Sequence, residues 1–173
     1  MNITYQKTSA DTIDDIELMC KWDNDEEIQY FIRPNFNEQN IPRITIEETI
    51  KSMKANQKKS VYMILCDNIK VGYISIQTDV PYLFKPDDSS AWISICIGEK
   101  AYQRMGIGER AMQFLEEKCK ELYCNRIELG VFEYNLKARA FYKKVGYRTI
   151  GENKNFVYYN GKWHNDIRME KMI

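Results

Sequence analysis

The segment that most restricts what this chain can become runs from Trp92 to Leu122. Trp92 to Ile97 reads as a strand, and Gln103-Arg104-Met105-Gly106-Ile107-Gly108 then turns through two glycines into the clearest helical stripe of the sequence. Ile107, Ala111, Phe114, Leu115, Cys119 and Leu122 recur at i, i+4, i+7, i+8, i+12 and i+15, one face of a long helix. A strand ending in such a turn presents several free backbone N–H groups at the positive end of a helix dipole, which makes an anion cradle. A side chain at either glycine would hold a phosphate away from those amides or force the turn out of its backbone well. Neither the phosphate loop of NTPases nor the GxGxxG dinucleotide fingerprint is present. Alone, the glycine pair is equally consistent with an ordinary helix start.

Strands and helices mix on both sides of this unit. Ile3 to Lys7 is an expected strand, and Asp11 or Thr12 can cap a helix carrying Ile13, Ile16, Met19 and Cys20. Thr45 and Glu48 form a capping box for a second helix with Ile46, Ile50 and Met53. Val61 to Cys66 and Val71 to Thr78 are apolar, β-branched runs joined at Asp67-Asn68-Ile69-Lys70, a hairpin signal. Arg126 to Phe132 is a further strand. Asn135 is a plausible N-cap for a short helix whose face carries Ala138, Phe141, Tyr142 and Val145 and which stops at Gly146. The tail from Tyr147 to Met172 turns at Asn160-Gly161, a strong hairpin dipeptide. With no repeat or linker, residues 1–173 are expected to form one α/β domain.

The chain's 25 basic and 25 acidic residues cancel, which argues against nucleic acid or another polyanion as partner. The balance hides a division. The first 98 residues carry ten basic and fifteen acidic side chains, and the remainder carry fifteen and ten. Eight acids fall between Asp11 and Glu27 against Lys21 alone. Such a cluster can attract a cationic amine, or it can be a solvated helix face near a favourable dipole. No apolar run approaches the ~18 residues of a membrane helix, and the first twelve residues lack the apolar centre of a signal peptide. The expectation is a cytoplasmic protein with no membrane partner. Cys20, Cys66, Cys96, Cys119 and Cys124 are odd in number and scattered, and His164 is the single histidine. They read as reduced core thiols, with neither a disulfide framework nor a metal site.

The run from Ile95 to Gly108 resembles the acetyl-coenzyme A motif of the GCN5-related N-acetyltransferases (GNAT): Gln or Arg, two residues, Gly, one residue, Gly or Ala. Asn135, Ala138, Tyr142 and Gly146-Tyr147 are similar to the family's second signature. Asn160-Gly161-Lys162-Trp163, Met169 and Trp22-Asp23-Asn24-Asp25-Glu26 resemble the branch of ribosomal-protein N-terminal and spermidine acetyltransferases. The resemblance implies an α/β (α+β) fold, a single GNAT-like domain with a mixed central sheet of about six to seven strands flanked by about four helices. It implies transfer of an acetyl group from acetyl-CoA to the primary amine of a small cationic molecule or a peptide N-terminus by direct attack. Cys96, Ile97 and Gly98 would pair with the pantetheine arm as an added strand does. Gln103, Arg104, Met105, Gly106, Ile107, Gly108 and Glu109 would form the cofactor cradle, with the backbone amides on the pyrophosphate. Asn135 would bond the arm from the other side. Tyr142 would be the catalytic acid, donating its phenolic proton to the departing thiolate.

The pattern departs from the family at one point of chemistry. Many relatives carry a strand glutamate to deprotonate the acceptor where this chain has Trp92 or Ile93. Glu99, Glu128, Asp87 and Asp88 are the nearby carboxylates. On the acceptor side the candidates are Trp22, Asp23, Asp25 and Glu26, and Tyr30, Phe31, Phe36 and Tyr82 are candidate aromatic walls or ordinary core residues. Without a strand base, the alternative reading is a non-catalytic acetyl-CoA-binding regulatory module. The tyrosine-rich hairpin from Phe156 to Trp163 is a reasonable dimer surface, so a monomer and a homodimer both stay open.

Overall fold

Alternating polarity assigns each strand a face before topology is considered. Ile127, Leu129 and Val131 are apolar while Arg126 and Glu128 are charged, and Ile167 and Met169 alternate with Asp166, Arg168 and Glu170. The computed structural model describes residues 1–173 and orders the chain as β1 (Ile3–Thr8), α1 (Ile13–Asp23), α2 (Gln29–Ile32), α3 (Ile46–Ala55), β2 (Lys59–Cys66), β3 (Ile69–Gln77), β4 (Ser90–Cys96), α4 (Ile107–Glu121), β5 (Arg126–Phe132), α5 (Leu136–Lys144), β6 (Arg148–Tyr159) and β7 (Lys162–Met172). A 3-10 turn, Lys100–Tyr102, follows β4. The strands make one seven-stranded sheet in the order β1-β2-β3-β4-β5-β7-β6. Every neighbouring pair is antiparallel except β4 with β5, which α4 connects. The mixed sheet is the one expected. The helices number five rather than about four, because the four-residue α2 adds a turn.

One sheet face packs against α4 and α5. Ile74, Ile76, Ala91, Ile93, Ile127, Leu129, Ile167 and Met169 meet Ile107, Ala111, Met112, Leu115 and Cys119 of α4 and Tyr142 of α5. The other face carries α1 and α3, where Met19, Trp22 and Ile28 bury Val61, Met63 and Cys96. All five cysteines are buried and free, as their apolar surroundings predict. No helix is long and apolar enough to cross a membrane.

Local signals hold where the backbone alone decides. Thr45 Oγ1 accepts from Glu48 N at 3.2 Å while Glu48 accepts from Thr45 N at 2.8 Å, completing the capping box. Asp67 and Asn68 (φ 48° and 69°) and Asn160 and Gly161 (φ 50° and 79°) take the left-handed geometry of two-residue hairpins. The first turn is thus shorter than the four residues expected. Thr12 occupies the N-cap of α1 but its hydroxyl makes no capping bond. Leu122, expected on the buried stripe, follows the last residue of α4 and is half exposed.

The pairing of β4 with β5 positions the site. It lasts three residues, Ser90 with Arg126, Ala91 with Ile127 and Trp92 with Glu128, and then stops. Ile93 to Cys96 stay paired to β3, and Leu129 to Phe132 stay paired to β7. The sheet therefore splits between them, with two inward-facing strand edges whose backbone groups have no ladder partner.

Candidate active site

The cradle lies where β4 ends at this split. Arg104 (φ 64°) and Gly106 (φ 80°) are both left-handed, and the alternation turns successive amides toward one side. The six backbone N–H groups from Arg104 to Glu109 find no acceptor in the chain; the first amide of this segment to find one is Arg110 N, on Gly106 O at 3.4 Å. A helix of fifteen residues stands behind them with its N-terminus facing the turn. A Cβ on Gly106 would meet nothing within 4 Å, so its glycine serves the positive φ and leaves the mouth open. Gly108 lies 3.2 Å, measured from an ideal Cβ, from the Phe141 ring, which brings α5 against the start of α4.

Other predicted contributors act through backbone or as supports. Ile107 and Cys96 are buried side chains, so only their main-chain groups can reach a ligand. Gln103 Nε2 donates to Ile97 O at 2.9 Å and its N–H to Lys100 O at 3.2 Å, so it ties the turn to the strand end. Glu109 offers its amide while its carboxylate pairs with Lys144 at 2.5 Å. Gly98 lies beneath Trp22, whose ring atoms approach within 2.1 Å of where a Cβ would be. Met105 is exposed.

On the α5 side of the split, Asn135 Oδ1 caps its helix by accepting Ala138 N at 3.2 Å, and its Nδ2 donates to nothing in the chain. Tyr142 is 8% exposed. Its hydroxyl has no partner, yet unlike the Tyr5 and Tyr147 hydroxyls it is not sealed from the surface. Burial pushes it up to about 12, so it holds its proton at neutral pH.

The opposite face is built from α1, α2 and the strand residues that point away from α4. Trp22, proposed at the acceptor, is 1% exposed and donates to Glu99 at 2.9 Å; it is a core residue because Gly98 admits its ring. Asp23 is likewise inside, accepting the Tyr73 hydroxyl at 2.5 Å, and burial raises its carboxyl. Asp25 pairs with Lys100 at 3.2 Å and Glu26 is exposed, so these two reach solvent. Tyr30 and Phe31 pack with Tyr134 and Tyr159 in an aromatic cluster, and Phe36 packs on Phe156.

Three of the four carboxylates considered as a base are engaged, and the fourth, Asp88, is exposed on an outer loop. Glu128 is fully buried and receives Phe84 N, Lys85 N, Arg126 and Arg168. Glu99 accepts Lys21 and Trp22, and the Lys21 bond above all holds it low. Asp87 is held low by the Ser89 hydroxyl, and Asp88 is exposed on the same outer loop. Glu128 belongs to a buried network with Arg126, Glu170, Arg168 and Asp166 on β5 and β7. Asp166 sits above Gly130, an ideal Cβ there lying 2.6 Å from its Oδ1 and 3.1 Å from the Trp92 ring. Nothing in the motifs pointed to Asp166; the strict alternation Asp166-Ile167-Arg168-Met169-Glu170 was the available signal.

Comparison with known proteins agrees with this geometry. The chain is 27% identical over 113 residues to an uncharacterized N-acetyltransferase of Lactobacillus delbrueckii subsp. lactis, covering 62% of this chain and 65% of that protein. It is 34% identical over 62 residues to the spermine/spermidine N(1)-acetyltransferase of Bacillus subtilis, covering 35% of this chain and 41% of that one. The chain thus spans less than two thirds of the length of these relatives. The crystal structure of spermidine N-acetyltransferase from Vibrio cholerae, in complex with CoA and spermine, has the same fold, with a TM-score of 0.78, 16% identity and coverage of 98% of this chain and 95% of that one. Residues 16–147 match the model of the acetyltransferase (GNAT) family. This match, over three quarters of the chain and on the same split sheet and amide cradle, establishes that the chain belongs to the GNAT family.

Proposed function

We propose that the protein is an acetyl-CoA-dependent N-acetyltransferase acting on the primary amine of a small cationic molecule. The observation that carries this reading is the run of six unpartnered amides, Arg104 to Glu109, opening beside two unpaired strand edges. An anionic pyrophosphate suits the first, and an amide-bearing arm suits the second. Bound acetyl-CoA supplies an acyl group on a sulfur leaving group. The chain's own residues do the rest. Amides 104 to 109 hold the phosphates, the inner edge of β4 bonds the arm, and Asn135 Nδ2 donates from the other lip. Tyr142 holds a phenolic proton at the split for the thiolate.

Thiol release from acetyl-CoA, measured across polyamines, aminoglycosides, amino sugars and short N-terminal peptides, tests the reading. Turnover is expected with the polycations. Acetyl-CoA binding with no thiol release from any amine would favour the regulatory module.

Two further outcomes are expected. Gly106→Ala places a side chain at φ 80° and should cost about 1 kcal/mol, a fall of about 2–4 °C in Tm, because no neighbour crowds it. Its acetyl-CoA Kd should rise by about tenfold, more than the backbone cost explains, because the new methyl group faces the ligand; calorimetry measures both. The double change Asp25→Lys and Glu26→Lys should raise KM for a polycationic acceptor by about five- to tenfold at low salt while leaving KM for acetyl-CoA unchanged. An acceptor KM that does not move would make those acids a solvated helix end.

A further inference from the structure

We propose that Asp166 is the catalytic carboxylate that takes the proton from the acceptor's ammonium group, an assignment that rests on the acetyltransferase reading above. Position is the first support. Gly130 lies on the β5 lip, two residues beyond the last β4–β5 pair, and Asp166 leans over it from β7 with Trp92 of β4 beside it. The carboxylate therefore stands beside the β5 lip on the sheet face away from α4 and α5, and Tyr142 packs on the other face. The two groups belong to opposite faces of the sheet, so a proton acceptor for the amine and a proton donor for the leaving sulfur are kept apart.

Availability is the second support. Asp166 Oδ2 is fixed by Arg168 Nε at 2.6 Å and Asn153 Nδ2 at 3.3 Å, whereas no group of the chain donates to Oδ1. Although the residue is 2% exposed, Oδ1 is not among the buried atoms sealed without a partner. One oxygen is thus anchored by two donors, and the other receives no hydrogen bond from the chain. Glu128, by contrast, spends both oxygens on four donors.

Charge is the third. The groups that face Asp166 are Arg168 on its own strand, Glu128 on β5, neutral Asn153 on β6 and the Trp92 ring on β4, with Arg168 stacked over that ring at 4.7 Å. Burial raises the carboxyl and Arg168 only partly opposes it. A carboxylate held above its ordinary range is the better proton acceptor. In the step, R–NH3+ gives one proton to Oδ1 and keeps the electron pair as the neutral amine; the carboxylic acid so formed returns the proton to water before the next turnover.

Asp166→Asn keeps the shape of the side chain and an acceptor for Arg168. Its kcat/KM at pH 7 is expected to fall about 100-fold or more, with the deficit narrowing as pH approaches the amine's own pKa, since the free amine needs no base. Acetyl-CoA affinity should not change. A loss equal at every pH, or activity within about threefold of wild type, would overturn the assignment. Carbon-detected NMR titration of Asp166 in the free, unmodified protein needs neither cosubstrate nor variant; a midpoint above the ordinary ~3.9 is expected, and one at or below it also overturns the assignment. A wild-type protein inert toward every amine would overturn this assignment and the acetyltransferase reading together. An active wild type with an equally active Asp166→Asn variant would overturn this assignment alone.

Discussion

Tyr142→Phe should lower kcat about 100-fold while leaving acetyl-CoA affinity within about twofold and Tm unchanged. The three readouts separate because of how the hydroxyl sits. It bonds to nothing in the chain, so removing it breaks no internal hydrogen bond and leaves no buried partner unsatisfied. The ring keeps its contacts with Phe141 and Tyr147. What disappears is the proton that burial retains, the group standing near pKa 12. In the wild type, rates should show no loss from tyrosine ionisation below about pH 11. A Tyr142→Phe enzyme with full turnover would remove this residue from the chemistry.

The second large effect is on stability. Glu170 is 2% exposed; burial alone would raise it, but hydrogen bonds from Arg126, Arg148 and Lys85 more than offset that and hold it at about 2. Its folded value is therefore below its unfolded value. The stability it contributes is present above about pH 4.5 and is lost as pH falls toward 2. A shift of this size corresponds to about 3 kcal/mol, so acid unfolding should steepen in that window. Glu170→Gln should cost about 3–5 kcal/mol at pH 7, because Arg126, 4% exposed, would lose its charged partner on β7. Urea unfolding at pH 7 and pH 3 measures both; a variant within about 1 kcal/mol of wild type at pH 7 would show the network to be energetically idle.

The readable parts of the molecule were those decided by backbone geometry. Gly106 and Gly108, the Thr45–Glu48 box, the Asn135 cap and the Asn160-Gly161 turn each fix a local conformation with residues no more than a few positions apart. The α4 stripe was legible because a 3.6-residue period repeats over fifteen residues. The buried charges were not, because register rather than spacing assembles them. Glu128 meets Arg168 forty positions away across the antiparallel β5–β7 pair, and Phe84 forty-four positions away in the loop between β3 and β4. For the same reason nothing in the local pattern showed that Glu128 is enclosed by four donors. Trp22 is hidden from a local reading for a different reason. An aromatic ring beside acidic residues suggests a ligand wall, but Gly98 removes a side chain seventy-six positions away and lets the ring sink into the core.

The parting of β4 and β5 also bears on how the protein avoids aggregation. Sheet edges with unpaired amides and carbonyls invite strands of other chains, and natural proteins ordinarily blunt them with charge, proline or a covering helix. Here two such edges are turned toward each other across the same gap, beneath α4 and α5 on one face and beside α1 on the other. A foreign polypeptide strand would need room for side chains above and below the sheet. An arm that carries amides without side chains does not. The two unpaired edges are therefore turned inward, away from the strands of other chains, by the same parting that forms the gap.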